Sequence, residues 1–347
     1  MQQVADKAGV SRMTVSRALR NDRRVAVKTR EKIRRIADEL GYQPNPLVSA
    51  LMVRLRSARN HDHVETLGFL TSHPRRRGWR EIPTLRKFHL GAEARAGELG
   101  FQLEEFWLRE PGMNDRRMSQ ILRSRNIHGV LIAPTPEPGA SFDLDWADFT
   151  TVAFGYTLID PPLHRVANHH IHSMRTALME VRRLGYRRIG LAMHSSQDER
   201  VDHNWLAGFL TFQNLISPEH RVPPFLPESI DEAAFSEWFL QHEPEVVFAG
   251  KHYIRDWLMN LGRRVPEDVG FVNLDKEHAT GGAAGIDQNC ETIGAAAVEL
   301  VAEQLYHNER GVPAIPKVLL IEGRWVEGNT LIPSPALRNP PLAGSPS

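Results

Sequence analysis

Residues 4–51 constrain this chain more than any other stretch. Residues 4–8 read as a short helix stopped by Gly9, because glycine accepts the left-handed conformation that a helix end needs. Ser11 follows, and its hydroxyl can accept a backbone N–H at the start of a second helix. That helix, over 12–20, turns Val15, Ala18 and Leu19 inward and leaves Met13, Thr14, Ser16 and Arg17 at least partly outside. Two short helices joined by a tight glycine-containing turn are a helix-turn-helix, and the second helix of such a pair is the one that enters a DNA major groove. A third helix over 27–40 carries Ile33, Ile36, Ala37 and Leu40 at helical spacing. Gly41 ends it, and Pro44 and Pro46 keep it ended.

The runs VADKAGVSRMTVSRAL and TREKIRRIADELGYQPN resemble the signature of the lactose-repressor (LacI/GalR) family at nearly every fixed position. Two positions depart from it. The Thr that usually starts the first helix is absent, which removes a phosphate contact. Ala26 stands where a Ser usually caps the third helix, so that helix start is less well satisfied. The resemblance implies a sequence-specific transcriptional regulator, a repressor, that binds double-stranded DNA as a homodimer. A twofold dimer reads a pseudo-palindromic operator, because the site mirrors the protein's symmetry. Arg17 is the expected guanine contact, since Arg paired bidentately with guanine is the commonest specific contact. Arg12, Met13 and Arg24 are expected to tune sequence preference, and Ser11, Ser16 and Thr29 to hold phosphates. Thr14 and Asn45 complete the expected interface. Residues 46–52 match the family's hinge helix, with Leu51 at the position that wedges into the minor groove and kinks the duplex; the alternative is a linker residue packed on the next domain.

Charge is distributed as this reading requires. The whole chain carries a net charge of +1, yet residues 1–60 hold fourteen Lys/Arg against five Asp/Glu and the remainder holds 29 against 37. The basic footprint is therefore confined to a small N-terminal module, as in a DNA reader with an appended acidic domain. The single cysteine, Cys290, excludes an intramolecular disulfide and suits a reducing, cytoplasmic setting. No N-terminal apolar run reads as a signal peptide and no segment is apolar enough over about 18 residues to span a membrane.

From residue 66 the pattern becomes alternating strands and helices. Strands are expected at 66–71, 101–108, 128–134, 149–155, 164–168, 188–193, 245–250 and 268–273, with helices at 85–100, 118–124, 173–184, 205–215, 253–261 and 291–305. Regular alternation of this kind argues for parallel sheets covered on both faces. The family resemblance continues through LGYRRIGLA (184–192), VPEDVGFVNLD (265–275) and IDQNCETIGAAAVELV (286–301). It implies an α/β bilobed domain like the periplasmic sugar-binding proteins, with two parallel-sheet lobes. The expected division is an all-α DNA-binding domain at 1–46, a hinge and linker at 47–65, a first lobe at 66–160 plus 290–316, a second lobe at 161–289 plus 317–331, and a disordered tail at 332–347.

Nothing in the chain spells an enzyme or a cofactor site. Sixteen histidines include His164, His169, His170 and His172, but no HExxH or CxxC accompanies them. The glycine-rich run Gly281-Gly282-Ala283-Ala284-Gly285 lacks the strand–GxGxxG–helix setting of a dinucleotide site. A cleft between the lobes is the better site, and the resemblance implies Ser72, His73, Phe88, Tyr156, Trp205, Lys251 and Asp275 around it, with no metal. Trp205 replaces a usual Arg, Gly250-Lys251 a usual Asn-Asp, and Asn168 a usual Asp. Trp205 could stack on a sugar ring or serve as a core aromatic of its helix. The effector is expected to be a carbohydrate, with a nucleobase or a phosphorylated metabolite as the alternative. A solute-binding protein with an incidental basic N-terminus is the alternative from another class.

Substituting Arg17→Ala is expected to cost about 1–3 kcal/mol of operator affinity and to relax the preference at one base position. Leu51→Ala is expected to weaken specific binding far more than non-specific binding, because a wedge works only at a deformable step. Anisotropy titrations against selected and random duplexes separate the two effects. Full affinity with an unchanged selected site would remove Arg17 from the reading helix, and equal losses on both duplexes would make Leu51 a packing residue.

Overall fold

The computed structural model describes residues 2–19, 25–40, 65–276 and 282–334. Arg24, Asn45, Leu51, the linker and the 335–347 tail lie outside the described residues. The N-terminal module holds α1 (Gln2–Ala8), α2 (Arg12–Leu19) and α3 (Val27–Glu39). Gly9 takes φ +68° between the first two helices, and the Thr14 amide donates to Ser11 Oγ at 3.1 Å, capping α2. Val4, Ala5, Ala8, Val15, Ala18, Ile33, Ile36 and Ala37 form one buried cluster against which Leu19 packs. Ala26 gives α3 no side-chain cap. Leu40 falls just past α3 and is 40 % exposed, so it does not continue the core stripe that its spacing suggested.

Next come β1 (Glu65–Thr71), a 3-10 turn at Gly78–Glu81, α4 (Pro83–Glu98), β2 (Phe101–Trp107), α5 (Asp115–Ser124), β3 (Gly129–Ile132), β4 (Ala140–Ser141), β5 (Thr150–Phe154), β6 (Leu158–Asp160) and β7 (His164–Asn168). Then follow α6 (His170–Arg183), β8 (Ile189–Ala192), α7 (Ser195–Glu199), α8 (Asn204–Leu215), α9 (Glu232–His242), β9 (Val246–Ala249), α10 (Tyr253–Asn260), β10 (Gly270–Asn273) and β11 (Ala284–Asp287). The chain finishes with α11 (Cys290–His307), β12 (Val318–Ile321) and β13 (Arg324–Val326). A parallel six-stranded sheet runs β12-β7-β5-β3-β1-β2, and a five-stranded sheet runs β13-β11-β10-β9-β8. β3, β5, β8, β9 and β10 are buried at every residue. That is what a sheet covered on both faces demands, and it explains why these strands read as continuous apolar runs.

The boundaries between the lobes differ from the sequence expectation. β7 pairs with β5, Val152 opposite His164, and β12 pairs with β7, Val318 opposite Arg165. Residues 164–168 and 318–321 therefore belong to the first sheet, so the first and third crossings fall near 169 and 322 where 160 and 317 were expected, while the second, near 288, lies where it was expected. The run 318–325, expected in the second lobe, holds two strands in different sheets. The second, β13, is antiparallel to β11. The short β4, β6 and α7 went unread, as did α9 and β11. The glycine-rich run leads directly into β11, where an added Cβ at Gly285 would sit 1.9 Å from the Asn273 carbonyl oxygen. Its glycine permits close backbone approach. Gly281 lies outside the described residues.

Asn168 sits at all three crossings. Its Nδ2 donates to the carbonyls of Gln288 (3.2 Å) and Ile321 (3.1 Å), and its Oδ1 accepts from Ser173 Oγ (2.9 Å). A carboxylate at this position could accept but could not donate to either carbonyl.

Helices α4 and α11 cover one face of the first sheet and touch through their backbones. A Cβ at Gly294 would lie 2.1 Å from the Phe88 carbonyl oxygen, and one at Gly91 1.9 Å from that of Glu291. Gly294→Ala is therefore expected to destabilise the protein by about 1–3 kcal/mol, because the helices must separate. Gly97→Ala is the control, since nothing lies within 4 Å of its added Cβ and the helix gains up to about 1 kcal/mol from alanine's propensity. Urea midpoints at constant slope measure both; a neutral Gly294→Ala would contradict the close packing.

Candidate functional site: a helix-turn-helix and a cleft between two lobes

The candidate DNA surface is built on α2. Its inward residues fix the helix against α1 and α3, so Thr14 and Arg17 come to lie half-exposed, with Ser11 exposed at its start. Arg12, Met13 and Ser16 fall on the same helix. Thr29 lies half-exposed in the first turn of α3. Lys32 Nζ donates to the Ala8 carbonyl at 3.0 Å, pinning α3 to the turn that sets the approach of α2.

The second site is a cavity of about 420 Å³ between the lobes. Its walls come from segments that follow β1, β3, β5 and β7 in the first sheet and β8, β9, β10 and β11 in the second. Carboxyl ends of parallel strands converge there, which is where α/β sheets bind ligands. A larger recess of about 960 Å³ lies around His128, His164 and residues 309–317, at the amino-terminal ends of the first sheet's strands. It lacks that convergence, so the cleft is the functional candidate.

Six of the seven expected residues line the cleft: His73, Phe88, Tyr156, Trp205, Lys251 and Asp275. Ser72 does not; it is buried to 6 % exposure at the end of β1. The lining also includes Thr84, Thr135, Thr157, His170, Gln197 and Arg200, none of which the sequence reading assigned to the site. The one available signal was chemical: Trp205 stands where a guanidinium is usual, and Arg200 supplies a guanidinium from five residues earlier.

The second-lobe wall is held by Asp198, which is fully buried. One carboxylate oxygen accepts from the Leu206 amide at 3.0 Å, and the other lies 3.2 Å from His203 Nδ1. Asp202 and His203 take left-handed conformations (φ 57° and 56°) that turn the chain into α8. Trp205 follows at 5 % exposure, packed into the second-lobe core and edge-on to His170, 4.9 Å between ring centroids. Most of its ring is thus committed to packing, and only an edge of it faces the cavity. Across the gap, Phe88 stacks on Phe154 at 5.3 Å, and the Arg165 guanidinium lies 5.6 Å over the Tyr156 ring.

Two contacts bridge the lobes directly. Thr84 Oγ1 donates to Asp275 Oδ2 at 3.4 Å, and Arg200 Nη1 donates to the Pro136 carbonyl. Burial holds the Lys251 ammonium below its usual range; Asp275 opposes that shift and Arg200 adds to it. Burial likewise depresses His73, with Arg75 and Arg200 adding to it. Burial depresses His170 further, to about 3, so its imidazole is neutral at physiological pH. The linkage sign follows: keeping His170 neutral costs no stability above the unfolded value near 6.5, and stability falls as pH drops below it. His170 Nδ1 has no hydrogen-bond partner although it is buried.

Comparisons with known proteins agree with both halves. The profile of bacterial regulatory proteins of the lacI family matches residues 1–45, and that of the periplasmic binding protein-like domain matches residues 179–331. The HTH-type transcriptional regulator CelR of Thermobifida fusca is 27 % identical over 328 residues, covering 88 % of this chain and 91 % of its own. The HTH-type transcriptional regulator GntR of Escherichia coli K12 is 58 % identical over 45 residues, 13 % of this chain and 14 % of its own. A solved CelR–cellobiose complex superposes with a TM-score of 0.57 at 22 % identity, covering 95 % of this chain and 98 % of that one. A Lac repressor dimer bound to operator and the anti-inducer ONPF gives 0.55 at 19 %, covering 95 % and 98 %. Among the described residues no helix is long and apolar enough to cross a membrane. A capped helix-turn-helix stands ahead of a two-lobed α/β domain; residues 1–45 carry the DNA-binding domain of the lacI family of bacterial regulatory proteins, and residues 179–331 the periplasmic binding protein-like domain.

Proposed function

We propose that this regulator acts in the cytoplasm as a dimer on a pseudo-palindromic operator, and that a small polar effector, a carbohydrate, controls it by binding between the lobes. The observation that carries the reading is the pair of bridging contacts, Thr84 to Asp275 and Arg200 to Pro136, on either side of a cavity sized for a small molecule. A ligand in that space touches both lobes at once, so it binds one degree of closure better than another and shifts the balance between them. Asp275 accepts hydrogen bonds from hydroxyls, Thr84, Thr135 and Thr157 exchange them, and Tyr156, Phe88 and the exposed edge of Trp205 cover apolar ring faces. The cellobiose held by the CelR relative supports a sugar as the class of ligand. The reading assigns the cleft binding and not catalysis.

Closure is transmitted to DNA through the first lobe, where β1 begins directly after the linker. Movement of one lobe against the other changes the spacing of the two chain entries in a dimer and with it the pairing of the hinges. On DNA, Arg17 reads a guanine, Arg12, Met13 and Arg24 tune the preference, and Ser11, Thr14, Ser16, Thr29 and Asn45 hold the backbone, with Leu51 wedging the centre. A solute-binding role would leave the 58 % identity to a transcriptional regulator over residues 1–45 without a purpose.

Selection of operator from random duplexes, followed by anisotropy titration with a panel of sugars and sugar derivatives, tests the reading. An effector is expected to change operator affinity about 5- to 150-fold, the range of a coupling of about 1–3 kcal/mol. Asp275→Ala is expected to abolish that response. A variant that responds with unchanged ligand affinity would remove Asp275 from the site, and light scattering that shows a monomer with and without operator would remove the dimer.

A further inference from the structure

The cleft is charged in a way that a neutral sugar does not explain. Arg200 and Lys251 both line it, from the segments after β8 and β9, while Asp275 is the sole carboxylate among the described lining residues. Among the described residues neither cation forms an ion pair with a carboxylate. The Arg200 guanidinium spends one donor on the Pro136 carbonyl and has others to offer. The Lys251 ammonium has no hydrogen-bond acceptor among the described residues, although it is half-buried. Burial depresses both cations; Asp275 opposes the shift of Lys251 and Arg200 adds to it, while Glu137 opposes the shift of Arg200. Two cations that face one carboxylate, Asp275, in a partly dry cleft cost free energy, which an anion between them relieves. His73 and His170 face the same space as neutral imidazoles, so neither competes for the anion as a charge and each can hydrogen-bond a ligand.

We infer that the effector is an anionic polyol of monosaccharide size, whose carboxylate or phosphate sits between Arg200 and Lys251 while its hydroxyls reach Asp275 and Thr84. The inference rests on the effector reading above and narrows it to an acidic sugar. The arrangement is asymmetric: the second lobe supplies both cations and Asp275, and the first lobe supplies Thr84 and the Pro136 carbonyl. An anion on Arg200 competes with the Pro136 carbonyl for the same guanidinium, so the charge of the ligand acts on a contact that bridges the lobes.

The test is calorimetric titration of the full-length protein with matched pairs: glucose against glucuronate, glucitol against gluconate, and glucose against glucose 6-phosphate. Trp205 lies at the site and its fluorescence gives a second readout. At least one anion is expected to bind at least about tenfold more tightly than its neutral partner, a difference of about 1.4 kcal/mol. Carboxylate and phosphate arms decide which anion it is. Lys251→Met and Arg200→Gln are expected to erase the anion-over-neutral preference, and Lys251→Arg to keep it, which separates loss of charge from loss of fold. Neutral partners binding as tightly as the anions, an unchanged preference in Lys251→Met, or no anion binding at millimolar concentration would each overturn the inference. A neutral sugar that shifts operator binding would sink it while leaving the effector reading intact. A bound anion with no effect on operator affinity would sink that reading, and with it the role of effector, and leave only the anion site between Arg200 and Lys251 standing.

Discussion

The two lobes are tied together through Asn168, and the rest of the account depends on that amide. One side chain donates to the carbonyls of Gln288 and Ile321 and accepts from Ser173, so each of the three chain crossings is held to the others at one buried point. Asn168 itself is 3 % exposed, and a buried polar group of this kind is favourable only when its partners are all in place. On the proposed reading these crossings are the pivot about which one lobe moves against the other. The close contact of α4 with α11, made through Gly91 and Gly294, packs one face of the first lobe tightly.

Everything placed at the cleft follows from that pivot. Sheet polarity directs eight strand ends into one cavity, and buried Asp198 fixes the turn from which Arg200 and Trp205 are presented. The lobes contribute unequal chemistry: hydroxyls, aromatic faces and neutral imidazole from the first, and charge from the second. On the proposed reading the ligand adds to contacts that the protein already makes at Thr84–Asp275 and Arg200–Pro136. Ligand binding and lobe closure then become one event, and the linker carries it to the DNA-binding helices.

The helix-turn-helix was legible because its stability is local. Gly9, Ser11 and the inward trio Val15, Ala18 and Leu19 act within twenty residues of each other, and their spacing states the geometry directly. The parallel sheets were legible for the same reason, since a strand buried on both faces is an apolar run whatever its neighbours. Sheet membership was not. Residues 164–168 and 318–321 pair at a distance of more than a hundred residues, and nothing within either segment says which lobe it joins. α9 was missed because its apolar residues Phe235, Trp238 and Phe239 mix with Glu and Gln and give a weak stripe. In the cleft, Asp275 and Trp205 were visible because the resemblance assigns their positions. Arg200 was not, because it approaches the site from the loop side of α8, where no periodic pattern marks a side chain as inward.

The most direct test of effector control is reciprocal linkage. Operator affinity is measured with and without saturating effector, and effector affinity with and without saturating operator. Two sites coupled through the same lobe closure must change each other by the same factor, and the expected factor is about 5–150. An effector that binds the cleft with identical affinity on free and operator-bound protein would contradict the account.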